Sequence, residues 1–465
     1  MPRACSCSDF SRTELMRRAA ARAGQGLPAI EPGMPLPAGT GLSRRSFVAR
    51  TAGLALAVYG GTRLSPAHLD AGIASAAELA SDRVLVSVFL DGGIDSISVL
   101  FPDGDPRYRV LRPKLALPAS SGIPFKGDAR LLWHPSAQAF ATLYGEGKLT
   151  VLPAVGYDHP DKSHFTSRHY WEVGAVNPGL QTGWLGRYLD LNGRPDNPLQ
   201  GLALDNRLQP SLATARVPVA SLDSPDKYGF SPGRKIGSPF PLDRQMLVTL
   251  GNLGAIHSKS KDPALAQAGE TALQVNRLRA QLKPFTGVDG ESTIKSPVAY
   301  PQATDQFPTR LAGLAAMLAA GLPLHCVAMR APGMYDTHSD QPDELTRALK
   351  LTSDSLLAFQ RDLEARGLAD RVLVHVWSEF GRRAAENGSN GTDHGAAGIG
   401  MLIGARVRGG MIGEFPGLQN GLDAQGNLRA TADFRGVYGA LVEQWLKADP
   451  GPVIPGSYAR PALLK

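Results

Sequence analysis

Four stretches of the chain are mainly apolar, with no strict polar alternation: VLVSVFL (84–90), LTVLPAVG (149–156), LHCVAMRA (324–331) and VLVHVW (372–377). A strand covered on both faces has no polar side, so such runs predict buried strands of a parallel sheet. Between them the period changes. PTRLAGLAAMLAAGL (308–322) spaces Ala and Leu for a helix that stops at Gly321. In QPDELTRALKLTSDSLLAFQRDLEARGL, the residues Leu345, Leu349, Leu356, Phe359 and Leu363 fall near one face, and Gly367 stands where a C-terminal cap belongs. Strand and helix in alternation predict an α/β fold, a doubly wound and mainly parallel sheet with helices on both faces.

Residues 190–300 break this rhythm. PDNPLQ and LDSPDKYGFSPGRKIGSPFPLDR read as turns, and a helical run containing Gln274, Leu278 and Leu282 follows. The expectation is one domain over 84–445 with 190–300 as a central insertion or lid, and 446–465 as a C-terminal tail.

Composition adds little about fold, since 465 residues with 43% apolar and 20% charged side chains suit a soluble globular chain. The placement of charge is more telling. Of 49 basic and 42 acidic side chains, nine arginines and four acids lie in residues 1–76, so the remainder is nearly balanced at 40 and 38. No basic stripe with interleaved aromatics remains, which argues against a nucleic-acid partner. LSRRSFVARTAGLALAVYGG instead sets Arg44, Arg45 and Phe47 before a short apolar run, the layout of a twin-arginine signal, and IASA (73–76) offers a small-residue cleavage site. The expected partner is therefore the twin-arginine translocase. The expected destination is the periplasm, cell surface or extracellular space, with no stable membrane span in the mature chain. The alternative is an unrelated Arg-rich tail. Cys5 and Cys7 lie in this leader and Cys326 stands alone in LHCVAM, so neither an internal disulfide nor a zinc–thiolate site is available to the mature chain.

In such sheets ligands gather beyond the carboxyl ends of strands, which makes the residues after each run the candidates for chemistry. Asp91 opens LDGGIDSISVLFPDGDP, as a cation ligand or else as part of a Gly-Gly turn before a cap at Asp95 or Ser96. After the second run, GYDHPDKSHFTSRHYWEVG puts Ser163 at a helix start, where it is a nucleophile if a metal or base activates it and otherwise a simple cap. His164 and Arg168 follow as candidate substrate contacts, while His169 is expected to pack inward. No G-x-S-x-G elbow joins a predicted strand to a helix, so a serine esterase of the usual α/β-hydrolase type is not expected. After the third run come Asp336 and His338, two apart and on the same side of an extended segment. After the fourth come Glu379, Arg382 and the glycine-rich loop that delivers Asp393 and His394. Arg168, Arg382 or Arg383 would clamp an oxyanion, or in part be a solvated turn. Asp91, Asp336, His338, Glu379, Asp393 and His394 thus form a candidate ligand set for a divalent metal: zinc, manganese, magnesium or calcium.

The motifs FLDGG, GDPRYRVLRPKLALP, KSHF, TGWLGRYL, YDTHSDQ, SEFGRR and GTDHGAAG together resemble the exported bacterial family called domain of unknown function 1501. That family is placed in the alkaline-phosphatase-like superfamily, which includes sulfatases and phosphatases. The resemblance implies a site with two metals and a Ser, Thr or modified Cys nucleophile, acting on a phosphate or sulfate ester. Asp91 matches the first metal aspartate, Ser163 the nucleophile, Asp336 and His338 an Asp/His ligand pair, and His394 the late histidine. SEFG departs from the Ser-Asp-His-Gly pattern, with Glu379 for Asp and Phe380 for His, so the second metal is in question. A competing alignment makes Asp393-His394 itself the Asp-His pair. The expected function is a metal-dependent hydrolase. The alternative is a non-catalytic exported protein with at most one structural ion.

Overall fold

The computed structural model describes residues 82–228, 242–287 and 291–465, together with a strand at Val58–Tyr59. The expected leader, 1–76, otherwise lies outside the described residues. The main sheet contains β1 (Val58–Tyr59), β2 (Val84–Phe89), β3 (Leu149–Gly156), β4 (Gly201–Leu204), β5 (Val219–Leu222), β6 (Cys326–Arg330), β7 (Val372–Trp377), β8 (Gly398–Ile403), β9 (Gly410–Met411) and β10 (Ala432–Asp433). Its order is β1-β5-β4-β6-β2-β7-β8-β3-β9, with β10 also on β3. Neighbours from β5 to β7 pair in parallel. β8 runs antiparallel between β7 and β3, and β1 antiparallel to β5. The sheet is mostly parallel, as the mainly apolar runs require.

Alternate residues of each central strand feed two separate cores. Val84, Val86 and Val88 of β2 and Val372, Val374 and Val376 of β7 join one core. Leu85 and Phe89, with Leu373 and Trp377, join the other. On the first face lie α1 (Gln138–Gly145), α5 (Pro263–Leu282), α6 (Phe307–Ala319) and α7 (Gln341–Ala365). On the second lie α2 (His164–Val173), α3 (Trp184–Asn192) and α8 (Phe434–Ala440). A helix pair, α5 with the preceding α4 (Leu242–His257), packs together. Leu345, Leu349, Leu356, Phe359 and Leu363 of α7 all point into the first core, and Gly367 caps its C-terminal end with φ +69°.

Two expectations need correction. Residues 190–300 are not simply a lid, because β4 and β5 belong to the central sheet. Strands of four residues flanked by Pro and Asp are too short to show a period. Nor is 446–465 a loose tail, since Val453, Ile454 and Leu463 are buried in the second core. Among the described residues, no helix is long and apolar enough to cross a membrane.

Candidate metal centre

The register of the sheet brings the candidate residues to one edge. Phe89 of β2 lies opposite both Arg330 of β6 and Trp377 of β7, so these three strands end together. Asp91, the Asp336 loop and Ser378-Glu379 leave the sheet from that edge. A hairpin, Arg382–Glu386 with Thr392–His394, then returns over it before β8. α2 starts at the same edge after β3.

One carboxylate oxygen is the hub. Around Asp336 Oδ1 stand the Nε2 atoms of His338 at 3.1 Å, His164 at 3.4 Å and His394 at 3.5 Å. Donor atoms of His164, Asp336 and His394 all lie within 4.8 Å of one another. Ligands about 2.0–2.1 Å from a tetrahedral ion stand roughly 3.3–3.4 Å apart, and the distances of the histidine nitrogens from Asp336 Oδ1 match that separation. The other ring nitrogens are held as well. His164 Nδ1 meets Glu379 Oε1 at 2.7 Å, His394 Nδ1 meets the Lys162 carbonyl at 2.8 Å, and His338 Nδ1 meets Asp393 Oδ1 at 3.4 Å. An acceptor behind each imidazole fixes its orientation and presents Nε2 to the centre.

Glu379 and Arg382 sit behind this cluster, fully buried. The Glu379 carboxylate accepts the amides of Gly92 and Gly93 at 3.1 Å each and the Ser378 hydroxyl at 3.0 Å, besides its bond to His164. Both glycines have positive φ, and a Cβ on Gly92 would lie 2.3 Å from the Asp336 nitrogen. Only glycine lets the two loops approach so closely. Arg382 was expected at the substrate. It points inward instead, donating to the carbonyls of Gly93 and Thr392 at 2.8 Å and to Asp336 itself. With its side chain wholly enclosed it has no face left for an ester.

The charges are strongly coupled. Burial opposes a charge on His164, but the bonds to Asp336 and Glu379 outweigh it and push its pKa up to about 9. Burial pushes His394 down to about 4, with its Asp336 bond only partly offsetting and the positive His164 and Arg382 adding to the effect. Asp336 is also penalised by burial, yet bonds from the three histidines and the Arg382 charge hold it well below the usual carboxylate range. The neutral His394 and the His164–carboxylate arrangement are what a site needs if a cation is to replace a proton.

The other candidates fall around this cluster. Asp91 is buried beside it, its Oδ2 accepting from Arg330 at 3.0 Å and its Oδ1 facing Arg168 at 3.7 Å. Burial raises the cost of its charge, but those two arginines keep its pKa lowered. Glu379 is turned to His164 and the glycine amides rather than to the centre. Asp393 is half-exposed and bonded to Asn387 at 3.1 Å as well as facing His338. His164, expected at the substrate, stands in the cluster itself. Arg168 pairs with Glu172 at 2.8 Å, four residues along α2. Ser163 caps α2 without a side-chain cap bond, and its buried Oγ has no hydrogen-bond partner.

Sequence reasoning missed the layer beneath. Asp95 and Arg112, both wholly buried, form an ion pair that also binds the carbonyls of Ala384 at 2.9 Å and Arg383 at 3.0 Å in the hairpin. Gln341 joins them from the start of α7. Their charged residue types gave no sign of this, because a buried arginine and a solvated one look alike in a sequence.

The fold and cluster define an α/β protein with a histidine–carboxylate centre beyond the carboxyl ends of a mostly parallel sheet. The family described as protein of unknown function, DUF1501, matches residues 228–433, the stretch that carries Asp336, His338, Glu379 and His394. No curated protein matches the chain. Among solved structures, Ps i-CgsB in complex with k-i-k-neocarrahexaose is 11% identical, with 81% of this chain and 74% of that one covered and a TM-score of 0.35. The PsFucS1 sulfatase from Pseudoalteromonas sp. is 11% identical over 86% and 78%, with a TM-score of 0.34. The phosphonate monoester hydrolase SpPMH from Silicibacter pomeroyi is 11% identical over 81% and 75%, with a TM-score of 0.30.

Proposed function

We propose that the cluster binds a divalent transition ion, zinc being the best match, and that the chain is an exported hydrolase of phosphate or sulfate esters. The observation that carries this is the convergence of three imidazole Nε2 atoms on Asp336 Oδ1 at 3.1–3.5 Å, each ring braced from behind. Magnesium and calcium favour all-oxygen shells, whereas imidazole with one carboxylate suits zinc or manganese. His164, Asp336 and His394 would hold the ion, with His338 beside them. When bound, such an ion supplies Lewis acidity toward a phosphoryl or sulfuryl oxygen.

The chain's own residues support the rest. Ser163 lies between Lys162, whose carbonyl holds His394, and His164, and its buried hydroxyl has no hydrogen-bond partner. Its oxygen would attack phosphorus or sulfur as the bond to the leaving oxygen breaks, with the serine proton ending on the departing alcohol. Water would cleave the resulting serine ester in a second step. Arg168, one helical turn along α2, puts a guanidinium on the same helix face as His164 to meet ester oxygens. The twin-arginine motif at Arg44-Arg45 supports export.

A second reading, a non-catalytic exported protein that keeps the fold and at most one structural ion, is favoured by Phe380. Its ring centroid lies 4.9 Å from those of both His164 and His394, and a phenyl ring there offers no ligand atom for a second ion. Metal analysis of the mature protein and a panel of phosphate and sulfate esters separate the two. Turnover that Ser163→Ala abolishes while metal content stays intact supports the hydrolase. Bound metal with no turnover on any ester supports the second reading. Metal-free protein with no turnover after incubation with zinc or manganese refutes the hydrolase and supports the second reading, whereas His394→Ala retaining wild-type metal content refutes the ligand assignment.

A further inference from the structure

The two loops that bear His338 and His394 are joined by Arg382 and Asn387, and also by Gln341, whose side-chain bonds go to neither histidine. Gln341 is buried at the start of α7, and its Oε1 accepts the Thr337 hydroxyl at 2.9 Å and the Thr392 hydroxyl at 2.6 Å. Thr337 sits between Asp336 and His338, while Thr392 opens the strand that ends at His394. The backbones are tied at the same place. Thr392 N–H donates to the Thr337 carbonyl at 3.0 Å, and Gln341 N–H to the Asn390 carbonyl at 3.1 Å.

The other end of Gln341 is anchored equally firmly. Its Nε2 donates to Asp95 and, at 3.2 Å, to Ser98 Oγ. Asp95 is in turn gripped by Arg112, with Nη2 to Oδ1 at 2.8 Å. The amide is therefore used at both ends, oxygen to two hydroxyls and nitrogen to a carboxylate and a hydroxyl. A glutamate there would set a second carboxylate against Asp95, and an apolar side chain would leave both threonine hydroxyls buried without an acceptor.

We infer that Gln341 is a positioning residue: it fixes the spacing of the His338 and His394 loops about Asp336 and so sets the ion affinity of the cluster. The inference rests on the metal-binding reading above. It goes beyond it by assigning affinity to a residue that contacts no ligand atom. Outer residues that orient metal ligands typically change affinity by about 10–100-fold when removed.

The test is zinc affinity of the full chain, read by competition with a chromophoric chelator, alongside thermal midpoints. Thr392→Val, which deletes one hydroxyl at constant shape, and Gln341→Met should each weaken zinc by about 10–100-fold. Thr392→Ser, which restores the hydroxyl, should keep wild-type affinity. Ser296→Ala removes a 2.9 Å bond to Asp362 far along α7 and should lower the midpoint without changing affinity. If Gln341→Met does not fold, Thr392→Val against Thr392→Ser decides. Thr392→Val that binds zinc as tightly as wild type overturns the inference alone. A wild-type chain that takes up no zinc overturns the metal reading and this inference together.

Discussion

Glu379 and His164 meet at 2.7 Å in a fully enclosed contact, although 215 residues separate them in the chain. The carboxylate raises the charge the imidazole will carry and fixes the direction in which Nε2 points. Glu379→Gln keeps the shape and removes the negative charge. Zinc affinity should fall by about 10–100-fold, and the unfolding midpoint should fall as well, because the new amide nitrogen faces buried donors that the carboxylate accepted from. Chelator competition and thermal melts on the same samples check both.

Gly92 lies at φ +121°, and Asp336 packs against it. Gly92→Ala must therefore push the Asp336 backbone as well as strain its own. Gly367, at φ +69° with open space around it, supplies the contrast, since Gly367→Ala should cost only about 1–2 kcal/mol of backbone strain. Gly92→Ala should lower the thermal midpoint further and also reduce metal content, which Gly367→Ala should not.

Removing Arg112 strands the buried Asp95 charge. Arg112→Met should destabilise the chain by about 3–5 kcal/mol, measured by denaturant unfolding. Pairing it with Asp95→Asn should recover part of that loss. A double variant no better than the single one would show that the arginine acts mainly through its bonds to the hairpin carbonyls.

His375 in the middle of β7 is buried edge-on against Tyr438, ring centroids 5.5 Å apart, and burial pushes its pKa down to about 3. The unfolded chain binds this proton near pH 6.5. Stability from the neutral ring is thus complete above about pH 6.5 and is lost as pH falls toward 3, by up to about 1.4 kcal/mol per pH unit. Denaturant midpoints from pH 7 to 4 should fall less steeply in His375→Leu than in the wild type.

The strands were legible because burial on both faces writes a mainly apolar run without polar alternation, as in VLVSVF and VLVHVW. β4 and β5 were not, since GLAL and VASL are too short to distinguish from loop. Asp336, His338 and His394 could be picked out because carboxylate and imidazole residues follow strands of one sheet. His164 was read as a substrate contact because a residue at a helix start gives no clue to where that helix lies. Its place in the cluster depends on β8 holding β3 next to β7, a pairing that no local pattern encodes. Arg382 misled for a related reason: its partners are main-chain carbonyls, which every residue possesses.

That antiparallel β8 is inserted between two strands distant in sequence has a temporal consequence. β3 and its following helix are synthesised early, yet they acquire their neighbour only after the chain has reached residue 403. Closing such wide loops comes late in folding. The donor atoms can meet only in the finished sheet, so an ion arriving there would act as a final latch rather than as a seed for assembly.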